Sequence, residues 1–504
     1  MGLAALVHIE YIMKYNVTIG MEVHAELKTH SKMFCACKNG LGMETEPNVN
    51  ICPVCTAQPG SLPVPNRQAI EAVQKVGLAL GCTLRLSSKF DRKHYFYPDI
   101  PKGYQISQYD EPFCEEGKLE RNGKTFRVTR IHLEEDTGKS MHPAGAEYTL
   151  VDFNRAGVPL MELVTEPDFS TGKEASLFCQ KLRQILRYLD VSNADMEKGQ
   201  MRCEVNISLY PEGADRLSGT KVEIKNINSF RSVERAIEYE IARQTGVLEA
   251  GEKVVQETRG WDEVKNVTVS QRKKESAHDY RYFPEPDILP FVFTPEYVEQ
   301  LRSALPELPD AKSKRFLLEY ALPEADVVLL TEDRELAGYF EAVASELAEK
   351  IQSKETQAEF PRLVKLAANY FITEMMKELK EWDRGMLIGR ITPENFAELI
   401  AIIADGKINS SAAQTVFKEM MENEDNDPSH IIERLNLAQV SDSAELETVV
   451  ATVLVANEQS VADYRAGKEN AIKFLMGQVM AATKGKANPK IVADILQKKL
   501  TLGE

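Results

Sequence analysis

The run from Thr129 to Asp168, TRIHLEEDTGKSMHPAGAEYTLVDFNRAGVPLMELVTEPD, constrains this chain more than any other, because it sets acids where a sheet calls for apolar residues. Side chains on a strand alternate between two faces. On that period Ile131 and Leu133 share one face and Glu135 falls next on it, while Arg130, His132 and Glu134 take the other. Glu162 sits inside the apolar run PLMELV, from Pro159 to Val164. An isolated buried charge is too costly, so each acid needs a cation, a proton or a donor. Two readings follow. One is a metal site facing a substrate pocket; the other is a pair of buried salt bridges to Arg or Lys.

At 504 residues the chain is long enough for about two to four domains. Its net charge of -16 argues against broad, non-specific nucleic-acid binding, but a local basic patch suffices for one RNA partner. No apolar run approaches the roughly 20 residues of a membrane span. The opening MGLAALVHIEYIMKY is broken by His8 and Glu10 and carries no small-residue cleavage pattern. It reads as an appended start ahead of the strand at Val17, which makes the protein cytoplasmic with no membrane partner.

From Val17 to Leu27 the sequence VTIGMEVHAEL alternates cleanly. Val17, Ile19, Met21, Val23 and Ala25 point one way; Thr18, Glu22, His24 and Glu26 point the other. Glu22 and His24 stand about 7 Å apart along one face, from the rise per residue. Carboxylate with imidazole suits Mg²⁺ or Mn²⁺, although a solvated strand face gives the same pattern. Next come Cys35 and Cys37, then fourteen residues, then Cys52 and Cys55. Two close cysteine pairs across a short loop suit a closed, structural Zn²⁺ site; a redox CxxC would explain only Cys52 and Cys55. The other four of the eight cysteines are scattered and read as ordinary core or surface residues.

A helix follows Asn66 and stops at Gly81. The segment Ser88 to Pro112 is dense in aromatics and charge, and Pro98 and Pro101 argue against regular structure. Its Tyr95, Tyr97, Tyr104 and Tyr109, interleaved with Lys89, Arg92, Lys93 and Lys102, could stack a base and hold a phosphate. Such aromatics also simply pack a loop down. Two more alternating strands, Met201 to Leu209 and Thr220 to Ile227, form a two-faced hairpin of an antiparallel sheet. If its polar side shares a cleft with the acids, Arg202, Asn206 and Lys221 are candidate nucleotide or phosphate contacts.

From Thr294 helical patterns follow one another, with Thr294–Pro295 and Thr392–Pro393 as helix starts. The fold class is therefore α+β: a β-rich antiparallel cradle over 1–293, a helical domain over 294–405 and a helical tail over 406–504. Between Tyr464 and Leu500 eight Lys or Arg face two acids, a patch suited to an RNA backbone or to plain solvation. The sequence has no GxxxxGK[ST] loop and no convincing glutaminase nucleophile constellation.

With these residues in view, the chain resembles the B subunit of bacterial and organellar glutamyl/aspartyl-tRNA amidotransferase. The resemblance rests on IGMEVHAEL, SKFDRKHYFYPDIPKGYQISQ, RIHLEEDTGKS, LVDFNRAGVPLMELVTEPD, GTKVEIKNINSF and DYRYFPEPDILP, which together span nearly all of residues 17 to 290. It implies an ATP- and Mg²⁺-dependent ligase that phosphorylates the side-chain carboxylate of Glu-tRNA(Gln) or Asp-tRNA(Asn) and then amidates it. Ammonia would come from a glutaminase A subunit, with a small C subunit completing a heterotrimer, and the helical and tail domains would engage the tRNA body. The resemblance places His24, Glu135 and Glu162 at the catalytic Mg²⁺, with Glu22 and Glu134 close by, and the cysteine quartet at a zinc motif found in some members. Two other classes compete: a non-catalytic, zinc-containing tRNA-binding or assembly subunit, and an independent ATP-dependent ligase of a small carboxylic acid.

Overall fold

The computed structural model describes residues 15–273, 279–378, 390–423, 426–439, 443–468, 470–483 and 485–502. The appended start expected before Val17 lies almost wholly outside the described residues. The chain divides into two compact units, one ending at Pro309 and one beginning at Asp310.

The first unit is built on a nine-stranded sheet. In spatial order its strands are Val267–Lys273, Glu257–Asp262, Val222–Ile227, Met201–Pro211, Tyr15–Glu26, Pro159–Thr165, Lys124–Glu135, Cys114–Arg121 and Thr83–Leu84. The clean alternation from Val17 thus forms the middle strand. Every neighbouring pair is antiparallel except Val222–Ile227 with Glu257–Asp262, which is parallel. The sheet is accordingly mixed rather than purely antiparallel, because a parallel pair needs a crossover and the helix Phe230–Glu249 supplies it.

One face of the sheet carries Ile19, Met21, Val23, Ile131, Leu133 and Leu163, all buried in a common core with the helices Arg67–Ala79, Gly172–Tyr188 and Phe230–Glu249. Phe126 and Phe169 stack at 4.3 Å there, and Phe178 meets Phe169 edge-on at 5.1 Å. Each helix starts on a side-chain cap: Asn66, Thr171 and Ser229 accept from backbone N–H groups within the first turn. The other face is polar and lines a cavity.

The segment from Ser88 is more regular than its prolines suggest. Asp91–His94 and Tyr104–Ser107 pair antiparallel, with Pro98 and Pro101 confined to the connection, and Phe283–Pro284 adds a third short strand. The helix Pro295–Ser303 belongs to the first unit rather than to the helical region: Leu301 is buried in the cradle core and the Tyr297 hydroxyl donates to Gln74 at 2.7 Å. Pro309, not residue 293, therefore closes the unit.

The second unit is helical and has two apolar clusters, one running from Phe316 to Ile431 and one from Leu446 to Leu500. Thr392 caps the helix Pro393–Ala404 as its sequence predicts, and Gly406 turns the chain out of it at φ 70°. The division between clusters falls beyond Ile431, later than the boundary expected at 405. Among the described residues no helix is long and apolar enough to cross a membrane.

Candidate functional site

The polar face of the sheet gathers one row of side chains across four adjacent strands. His132 lies opposite Glu162, Glu162 opposite His24, and His24 opposite Arg202. Neighbouring residues on one face of a ladder have Cβ atoms about 5 Å apart, so a row of this kind is in contact by construction. Glu162 is 3.3 Å from His24 Nε2 and 3.2 Å from His132 Nε2. Glu134 lies 3.9 Å from His24 and 3.7 Å from His132, and accepts from Ser107 Oγ at 2.9 Å. Glu22 lies 3.9 Å from His24 and faces Glu204 on the next strand.

These groups floor a cavity of about 510 Å³, within the range of small-ligand sites. Lys93, Arg130, Arg202 and Lys225 also line it, and Lys225 pairs with Glu204 at 2.8 Å. Two sets could hold an ion, Glu22 with His24 and Glu162, and His132 with Glu134 and Glu162; within each, the donor atoms lie within 4.8 Å of one another. Glu162 belongs to both. The donor chemistry, mostly carboxylate, fits a hard divalent cation. The Nε2 atoms of His24 and His132 face the carboxylates, while their Nδ1 atoms are buried without a hydrogen-bond partner among the described residues.

Electrostatics agree. Burial, with the Glu162 charge added, pushes Glu22 up to about 7. Burial opposes the His24 imidazolium, but the hydrogen bond and charge of Glu162 outweigh it and raise His24 to about 9. Glu162 is held well below the ordinary carboxylate range: burial works against this, and His132 and His24 overcome it. In the ion-free protein the acids are thus neutralised by protons on imidazoles, and by Lys93, whose pKa Glu134 and Glu162 raise against its burial. A divalent cation must displace such protons. We expect its affinity to climb as pH rises from about 6 through the Glu22 value near 7 toward the His24 value near 9, by up to about tenfold per pH unit for each proton released. Calorimetric titration with Mn²⁺ at about pH 7.5 in two buffers of different ionisation enthalpy measures the release; zero protons released would contradict it.

The cysteines converge as their spacing suggests. The four sulfurs of Cys35, Cys37, Cys52 and Cys55 lie within 4.8 Å of one another. Cys52 and Cys55 are 3.8 Å apart, about the edge of a tetrahedron with Zn–S bonds near 2.3 Å. The Cys52 N–H donates to Cys55 Sγ at 3.1 Å, and a hydrogen bond from Cys35 lowers Cys55 to about 5 against its burial. Lys32, fully buried, puts Nζ 3.9 Å from Cys55 Sγ and donates to the carbonyls of Asn50 and Phe153. A cation beside the Cys55 sulfur favours its thiolate, and the bond to the Phe153 carbonyl ties the loop to the segment entering the Pro159–Thr165 strand.

Residues 17–299 match the GatB/GatE catalytic domain and residues 344–500 match the GatB domain. Three relatives are each named as the B subunit of an aspartyl/glutamyl-tRNA(Asn/Gln) amidotransferase. That of Caldanaerobacter subterraneus is 48% identical over 494 residues, covering 97% of this chain and 100% of the relative. Those of Thermotoga maritima and Chlorobium luteolum are 47% and 46% identical, each over 97% of this chain and 99% and 100% of theirs. The chain belongs to the family of amidotransferase B subunits.

In this member of the family the site differs in one respect from the set expected of it. His24, Glu162, Glu22 and Glu134 come together; Glu135 does not. Its parity with Ile131 and Leu133 turns it to the opposite face, where Lys102 Nζ lies 2.6 Å away and Ile106 N–H donates at 3.0 Å. There it lines a second cavity of about 220 Å³ with Cys35 and Cys55. Arg202 reaches the main cavity but also pairs with Asp136 at 3.0 Å. Asn206 lies opposite Gly20, two residues beyond the level of Glu22, and Lys221 is exposed just before its strand begins; neither lines the cavity. Lys93 and Tyr95 line it, whereas Tyr97 is 55% exposed outside it. Lys225, on the polar face of the 201–227 hairpin where phosphate partners are expected, does line the cavity, whereas sequence reading passed over His132 and Tyr282 as site residues. For His132 the signal was present, since it shares strand parity with Glu134.

Proposed function

We propose that this chain is the kinase and transamidase subunit of a tRNA-dependent amidotransferase acting on Glu-tRNA(Gln), Asp-tRNA(Asn) or both. A single observation carries the reading: one cavity holds a shared carboxylate–imidazole cluster and four cationic side chains, Lys93, Arg130, Arg202 and Lys225. The names of the relatives supply the substrate class.

A carboxylate resists amidation because its leaving group would be oxide. Transfer of the γ-phosphoryl group of ATP removes that obstacle: a bond forms between the carboxylate oxygen and phosphorus, and the bond to the bridging oxygen of ADP breaks. Ammonia then attacks the carbonyl carbon, the nitrogen sheds a proton, and inorganic phosphate departs. Phosphoryl transfer mainly needs positioning and charge neutralisation. His24, Glu22, Glu134 and Glu162, with His132, would hold Mg²⁺, which when bound supplies charge neutralisation on the phosphates. Lys93, Arg130 and Lys225 orient the phosphate oxygens, and Lys93 with Tyr95 stands where the acceptor end would enter. The glutaminase A subunit delivers ammonia and a small C subunit completes the heterotrimer. The cysteine quartet holds a structural Zn²⁺, and the basic helices between Tyr464 and Leu500 bind the tRNA body in the cytoplasm.

The test is trapping. With Glu-tRNA, ATP, Mg²⁺ and hydroxylamine, the assembled enzyme should release ADP and form a glutamyl hydroxamate on the tRNA; with ammonium it should form Gln-tRNA. ADP release that needs only free glutamate would indicate a small-acid ligase. Tight tRNA binding with no ADP release would indicate an assembly subunit.

A further inference from the structure

The main cavity has an aromatic wall that the phosphoryl chemistry does not use. Tyr109 and Tyr282 stack face to face, with ring centroids 4.4 Å apart and planes inclined by 14°. Tyr280 meets Tyr282 edge-on at 6.0 Å, and Lys93 Nζ lies 5.4 Å from the Tyr280 ring. All four residues line the cavity. Rings that serve only packing in this unit, such as Phe90 and Phe126, are each 1% exposed, whereas Tyr109 is 60% exposed. An exposed ring already stacked on a second ring presents a flat, open π-face, the surface on which a base settles.

The wall is also fixed relative to the acids. Gln108, next to Tyr109, accepts from the Leu133 N–H at 3.1 Å and donates to Ser88 Oγ at 2.7 Å. Ser107 donates to Glu134. The Tyr109 N–H donates to Asp91 at 3.0 Å. On the other side Phe283 pairs with Arg92, and Arg92 is held by Glu285 at 2.7 Å. One short turn thus touches the ion-binding carboxylate and presents the ring. A rigid distance between a base platform and a charged cluster is what a nucleotide, with its base at one end and phosphates at the other, would match.

We propose that the Tyr109–Tyr282 stack is the subsite for an adenine base, resting on the reading that this cavity transfers a phosphoryl group from ATP to a carboxylate on tRNA. Adenine reaches such a site in two forms, on ATP and as the 3′-terminal adenosine of the tRNA acceptor end. Stacking on an aromatic side chain is sequence-tolerant and its loss weakens binding by roughly tenfold or more.

The experiment uses the assembled enzyme with Tyr282→Leu, Tyr109→Leu and, as the conservative control, Tyr282→Phe. Calorimetry with ADP and with the trinucleotide CCA reads binding apart from turnover. Steady-state titration of ATP and of Glu-tRNA reads it within turnover. Weakening of ADP binding by about tenfold in both Leu variants, with recovery in Tyr282→Phe and a rise in the KM for ATP larger than any fall in kcat, assigns the stack to ATP. The same pattern confined to CCA and to the KM for Glu-tRNA assigns it to the acceptor end. Unchanged Kd values for both probes in both Leu variants would overturn the proposal. Absence of tRNA-dependent ADP release in the wild-type enzyme would instead count against the phosphoryl-transfer reading, and the binding arms would still decide the subsite.

Discussion

Glu162→Ala is expected to lower tRNA-dependent ADP release by roughly three orders of magnitude, the scale seen when a charge-stabilising group is taken from a phosphoryl- or acyl-transfer site. Glu162 is common to both candidate ligand sets and is the nearest anion to both imidazoles, at 3.3 and 3.2 Å. Removing it takes away the carboxylate between His24 and His132 and costs the cluster its shared donor. Glu134→Ala should follow, less severely, because it enters only one set. Glu135→Gln is the informative contrast. It breaks the ion pair with Lys102 on the far face but leaves the cluster untouched, so Mn²⁺ stoichiometry read by electron paramagnetic resonance should stay at the wild-type value. Loss of bound Mn²⁺ in Glu135→Gln, with retention in Glu134→Ala, would reverse the assignment.

The second large effect is expected at the cysteine loop. Cys55→Ser should abolish zinc binding, taking the metal content from about one ion per chain to near zero, since three thiolates and a hydroxyl make a far weaker site. Buried Lys32 would then lose the thiolate 3.9 Å from its ammonium. Unpairing a buried charge costs about 3–5 kcal/mol. For a unit of this size that corresponds to a fall in melting temperature of roughly 5 °C or more. Elemental analysis and calorimetry read both. Wild-type zinc content in Cys55→Ser, or an unchanged melting temperature after the metal is chelated, would sink the structural role. The acid cluster, being built on other strands, should still bind Mn²⁺.

Much of this was legible in the chain because two-residue periodicity and helix starts are local. The alternation from Val17 to Leu27 and the caps at Thr294 and Thr392 needed no tertiary information to be read. What could not be read was which face of a strand meets which cavity. Glu134 and Glu135 are adjacent carboxylates, similarly buried; parity sets them on opposite faces, but only the tertiary contacts, Glu134 beside His24 and His132 and Glu135 beside Lys102, say which face carries the cluster. Asn206 and Lys221 failed for a related reason: parity selects a face, while position along the strand selects distance from the centre. Tyr109 is marked in the sequence as a ring able to stack a base, but its partner Tyr282 lies far along the chain and no local signal joins the two. The helix Pro295–Ser303 looks like its helical successors in sequence, but Leu301 finds its apolar partners in the cradle.

Adjacent acids serving opposite sides of one sheet make the Lys124–Glu135 strand intolerant of length change. Inserting or deleting a single residue after the turn at Asn122 and Gly123 would exchange the two carboxylates, push His132 among the phenyl rings and bring Leu133 out beside Glu162. Insertions and deletions among natural relatives should therefore accumulate in that turn and leave the strand at constant length, and a library of single-codon deletions across it should yield no active clones.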